Sequence, residues 1–162
     1  MYHSTQDSAV MIARTNVDVA SSLNVLLADV MTLYVKTKNF HWHVSGPYFR
    51  DYHLLLDEPA DQLIGTSDLI AERVRKLGHT TLRSVRQVAG TSHIQDNDLE
   101  GMMPTSMLYA LLVDNYRLVA SMKDTHELCE TAFDIATASL LENWIDEADQ
   151  RIWFLRETLR SD

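Results

Sequence analysis

The 162-residue sequence is poor in thiols, in basic residues and in long apolar runs. Its single cysteine, Cys129, rules out an intrachain disulfide and fits a reducing cytosol. Lys and Arg total 14 against 23 Asp and Glu, a formal charge of −9 that disfavours generic attraction to a phosphate backbone and favours cations. No stretch approaches the roughly 18 continuous apolar residues of a membrane span, and no charged start leads into an apolar run. A soluble, unexported protein is expected. From Met1 to about Ala9 there is neither periodicity nor a basic residue, and these positions read as a mobile tail in which His3 is merely solvated. Residues 10–162 are enough for one domain with its own core, and no long linker divides them.

Chemistry-bearing residues concentrate between His41 and Glu72. His53 and Asp57 stand four residues apart, as do Asp68 and Glu72, in a segment otherwise rich in Leu, Ile and Ala. On a helix these four side chains fall within about 100° of one face, but the midpoints of the two pairs lie roughly 22 Å apart along the axis. One helix cannot close a metal site over that distance. A second copy packed antiparallel about a two-fold axis near Gln62 and Leu63 brings His53 and Asp57 of one chain against Asp68 and Glu72 of the other, giving two identical sites. Imidazole and carboxylate without thiolate suit iron, zinc or manganese, with redox-active iron the sharper choice.

The pattern His41-Trp42-His43-Val44, Gly46, Phe49, His53, Asp57, Asp68, Ile70-Ala71-Glu72-Arg73 and Leu77-Gly78 closely resembles Dps, the DNA-binding protein from starved cells, a ferritin-like miniferritin. The resemblance is dense from Asn39 to Gly78 and continuous but thinner from Leu23 to Leu155. It implies an all-α, ferritin-like four-helix bundle with a long crossover holding a short extra helix. It also makes His41 a metal ligand, whereas chemistry alone leaves His41 and His43 equally at home as caps of a helix C-terminus. His43 is read as structural support; Trp42 reads by chemistry alone as a core residue, while the resemblance implies an aromatic here beside the iron centre. An ordinary di-iron bundle carries Glu-x-x-His pairs within one chain. Here no His has a Glu three positions before it, which separates an intrachain di-iron oxidase from an intersubunit site with all five ligands.

Apolar spacing at Leu23, Leu26, Leu27, Val30, Met31 and Tyr34 predicts a first helix starting between Val10 and Ser22 and ending between Asn39 and His43, before the turn Ser45-Gly46-Pro47. A second, central helix is expected from Phe49 to Leu77, stopped by Gly78 and kinked by Pro59 unless it breaks there. The stretch from His79 to Pro104 reads as the crossover, with its short helix near Gln95 to Gly101 and Asp96 and Asp98 charging its first turn. Thr105 or Ser106 caps a third helix ending near Leu128, and a fourth runs from Asp134 to Arg160.

The resemblance further implies a hollow homododecamer that oxidises iron(II), preferably with hydrogen peroxide, at two-fold interfaces and stores ferric mineral inside, making the protein a cytoplasmic ferroxidase. One iron is expected on Asp68, Glu72 and His41, with His53 and Asp57 serving a weaker second iron; zinc or another divalent cation is a possible substitute. DNA binding is doubtful without a basic tail. Glu130, Asp134, Glu142 and Asp146 are candidates for lining a three-fold entrance, against a plain reading as a solvated helix start. Two rival readings are a nucleoid-associated DNA-protecting assembly with little ferroxidase activity and a zinc-bridged structural oligomer.

Overall fold

Between Met1 and Ser45 the sequence has neither Gly nor Pro, so a helix begun early meets nothing that interrupts its hydrogen-bond ladder. The computed structural model, which describes residues 3–160 and their side chains from Asn16 onward, accordingly carries one helix, α1, over His3–His43. Helix therefore begins ahead of the expected window of Val10 to Ser22, and residues 3–9 of the expected tail belong to it; Met1 and Tyr2 lie outside the described residues. Gly46, at φ +104, and Pro47 then reverse the chain.

The second helix, α2, spans Phe49–Lys76 and passes through Pro59 without a break. The helix that a proline interrupts loses one bond, here to the Leu55 carbonyl. Gly78 follows with φ +85, where its missing Cβ permits the left-handed stop. Leu56, Ala60, Leu63, Ile70 and Val74 bury one face of α2. Its other face is open: Leu54, Ile64 and Leu69 are exposed, so within one chain α2 is a flank of the bundle and not its centre. Gly65 lies on that open face and costs the helix about 1 kcal/mol relative to alanine.

The crossover helix, α3, occupies Val85–Thr91, about ten residues before the expected position. The Ser84 hydroxyl caps it by accepting the Gln87 N–H at 3.2 Å. Residues 95–101 stay non-helical because α1 engages the strap in which they lie. Asp29 accepts the His93 N–H at 2.6 Å, Lys36 donates to the Gln95 carbonyl, and Asn39 donates to that of Asn97. With no helix there, Asp96 and Asp98 cap nothing.

Helix α4 spans Pro104–Ala132 and starts one residue before the expected cap, with Met103 flanking it and Pro104 in the first turn, where its missing N–H is not needed. It continues past Leu128 to a left-handed Phe133, φ 56, whose N–H meets the Glu130 carbonyl. Phenylalanine is a rare occupant of that conformation, so no glycine or asparagine signalled the stop. Helix α5 covers Ile135–Thr158, capped by the Asp134 side chain. Among the described residues there is no strand.

The four long helices share a core built on Leu23, Leu26, Leu33, Leu63, Leu111 and Leu141. α1 packs against both α2 and α4, and α4 packs on α5. The segment Asn16–His43 is long and apolar enough to cross a membrane by length and composition, but Asp29 and Lys36 interrupt it and its buried side chains form this core. Cys129 is fully buried, and that burial pushes its thiol up to about 11, which leaves it unreactive.

Candidate metal centre

The turn at Gly46-Pro47 lays the end of α1 against the start of α2, which brings two histidines twelve residues apart into reciprocal contact. His41 Nδ1 donates to the His53 carbonyl at 2.8 Å, and His53 Nδ1 donates to the His41 carbonyl at 2.9 Å. The imidazoles stack with centroids 3.7 Å apart and 22° between planes, and the Phe49 ring lies 5.2 Å from that of His53. Because a carbonyl only accepts, both rings carry their proton on Nδ1. With Nδ1 engaged in each ring, Nε2 is the nitrogen that each imidazole can offer to a metal ion. A backbone carbonyl behind the ring is the arrangement that orients histidine for a metal ion.

Asp57 completes this half-site. Its Oδ1 lies 3.8 Å from His41 Nε2. The same oxygen accepts a hydrogen bond from Lys38 Nζ at 2.7 Å, and that bond holds the Asp57 carboxyl below its ordinary range while raising Lys38. Asp57 remains 48% exposed at its side chain, so the carboxylate is open to solvent and to an incoming cation. Lys38 is the site residue missing from the sequence reading. The signal was present: Lys38 precedes His41 by three, which places both on one face of α1.

Asp68 and Glu72 are not brought to this half-site. Both are exposed, and among the described residues Glu72 pairs only with Lys76, one turn on, at 3.1 Å. With α2 unbroken, roughly 22 Å of helix separates the two pairs. Among the described residues no three His, Cys, Asp or Glu side chains cluster closely enough to hold a metal ion. Each chain thus presents an imidazole-rich half and a carboxylate half at opposite ends of α2.

Other expected residues take ordinary structural places. Trp42 is 65% exposed and is not core, because the end of α1 turns Phe40 and His41 inward instead. His43 Nδ1 donates to the Asn39 carbonyl, as a helix-end cap does. Asp134 is 8% exposed at its side chain; it accepts the Thr137 N–H and pairs with Arg73 at 2.7 Å, so it anchors α5 to α2, and it lines a surface pocket together with Glu130 and Glu142. Glu130 and Glu142 are exposed on either side of His126, at 4.0 and 3.3 Å, and Asp146 is exposed one turn further on.

A family model described as a ferritin-like domain matches residues 20–162. The DNA protection during starvation protein of Agrobacterium fabrum is 33% identical over 154 residues, covering 94% of this chain and 93% of that protein. An uncharacterized low temperature-induced protein of a Nostoc species is 34% identical over 139 residues, 85% of this chain and 78% of that one. In fold, the chain is similar to the X-ray structure of Dps from Thermosynechococcus elongatus, with a TM-score of 0.90 at 23% identity over 93% of this chain and 96% of that chain.

Proposed function

Since the chain belongs to the ferritin-like family and, within it, to the Dps miniferritins, we propose that it takes up iron(II) as substrate at sites shared between two copies, oxidises it and retains the ferric product. The observation that carries this reading is the reciprocal His41–His53 lock, which leaves two Nε2 atoms free beside Asp57. Asp68 and Glu72 of a second copy supply the missing hard oxygen ligands, which favour the ferric product. His41, Asp68 and Glu72 hold the first iron. His53 and Asp57 serve a second, bound more weakly because Lys38 already occupies the Asp57 carboxylate.

Two irons side by side deliver two electrons to hydrogen peroxide, which with two protons becomes two waters and releases no hydroxyl radical. Peroxide is therefore the preferred oxidant, and the assembly is a cytoplasmic, hollow dodecamer. At −9 per chain, twelve chains sum to about −108, a field that draws iron(II) inward. Glu130, Asp134, Glu142 and Asp146 are the acids available at an entrance. Zinc fits the same donors and acts as a redox-silent competitor.

Stopped-flow absorbance after anaerobic loading with iron(II) and mixing with peroxide, followed by gel filtration, tests the reading. Rapid ferric formation with iron coeluting in a large assembly is expected; slow oxidation with precipitated iron would overturn it. The name of the Agrobacterium relative favours a second reading, a DNA-protecting assembly. An acidic chain disfavours it, and a gel shift that weakens steeply with salt would restore it.

A further inference from the structure

Gly65 has no reason for being glycine within one chain. Its backbone is ordinary helix and not the left-handed conformation adopted at Gly46, Gly78 and Gly101. A Cβ built there meets no atom within 4 Å, so no close packing inside the chain excludes a side chain. Yet it stands in the middle of a 28-residue helix, where glycine weakens the ladder. The reason must lie outside the chain. On the helical wheel Gly65 falls within about 60° of Leu54, Asp61, Asp68, Leu69 and Glu72, at the centre of the open face of α2.

We propose that Gly65 is where the α2 helices of two copies approach, and that its missing side chain sets the spacing at which the shared metal site closes. The inference rests on the two-copy site proposed above. Antiparallel pairing about Gln62 and Leu63 puts Gly65 about 4 Å along the axis from the two-fold, next to the crossing. The second copy is the occupant that this face fits: its imidazole end meets the carboxylate end of its neighbour, and no metal-holding cluster forms among the described residues of one chain. Packed helices lie 8–10 Å apart depending on the side chains between them, and a glycine permits the closer distance. Gly65 is a positioning residue; it ligates nothing.

Gly65→Ala and Gly65→Leu test this, with sedimentation velocity across a concentration series, circular dichroism, thermal melting and cobalt(II) titration as the metal probe. The expected result is unchanged helicity in both variants. Self-association and cobalt affinity should weaken together by at least tenfold in Gly65→Ala, and Gly65→Leu should sediment as a single chain. If Gly65→Ala instead melts about 2–4 °C higher, as an alanine on a free helical face does, and both variants assemble and bind cobalt like the parent, the proposal is overturned while the shared site stands. A parent protein that sediments as one chain at every concentration, with cobalt or without, would overturn both. The alanine variant keeps the test decisive if the leucine variant misfolds.

Discussion

At one end of α2, His53 and Asp57 are tied to α1 through two carbonyl bonds, a ring stack and the Lys38 contact. At the other end, Asp68 and Glu72 are exposed, and among the described residues only an exposed Lys76 pairs with Glu72. The imidazole half is preorganised by the fold of a single chain, so its side chains need little further ordering. The carboxylate half has almost no structural function to lose. Its one ion pair among the described residues, Glu72 with Lys76 one turn on, contributes about 0.3–0.5 kcal/mol.

Breaking the carboxylate half should have the largest effect on activity. Asp68→Ala with Glu72→Ala is expected to slow stopped-flow iron oxidation at least 100-fold, while the melting temperature moves by no more than a degree or two. Retained oxidation would remove both residues from the site. His41→Ala separates the two halves in the opposite sense. It should slow oxidation comparably and also lower stability by about 2 kcal/mol in urea unfolding, since a buried ring, its stack on His53 and its bond to the His53 carbonyl are lost.

Pro59 lies between the two halves. Pro59→Ala restores the bond to the Leu55 carbonyl and should raise stability by up to about 3 kcal/mol. An unchanged or lower melting temperature would mean that the surrounding packing already accommodates the proline.

Smaller changes sharpen the contrast within the imidazole half. Lys38→Met frees the Asp57 carboxylate and should tighten cobalt(II) binding several-fold in a calorimetric titration; weaker binding would make Lys38 a support for the site and not a competitor. The smallest expected effect is on pH. Asp57 is held below its ordinary 3.8 by the Lys38 bond, so that pairing contributes above the ordinary carboxylate range and is lost as pH falls through the lower folded value. Lys38 is raised from 10.5, so the pairing is also lost as pH rises through the raised lysine value. Between those limits the parent should melt slightly higher than Lys38→Met, and the difference should vanish once the pH falls below the lowered Asp57 value.

Apolar periodicity was enough to read the four long helices, because a buried stripe recurs whatever it packs against. It was also enough to see that His53, Asp57, Asp68 and Glu72 share a helix face and span too far for one site. Boundaries were less legible. The early start of α1 leaves no mark beyond the lack of a breaker, and the late end of α4 uses a left-handed phenylalanine where glycine is the readable signal. The position of α3 was hidden because it depends on contacts sixty residues away: Asp29, Lys36 and Asn39 of α1 bind the strap from His93 to Asn97.

The sequence by itself determined the four long helices and the types and spacing of the candidate site residues, since those follow from local geometry at 3.6 residues per turn. Only the tertiary structure decided which ring nitrogen of each histidine is free, that Lys38 sits on Asp57, that Trp42 faces outward and that Asp134 is an anchor. Each of these depends on where a second helix places a carbonyl or a charge, and that placement arises from packing across the turn and the bundle, beyond the reach of any local pattern.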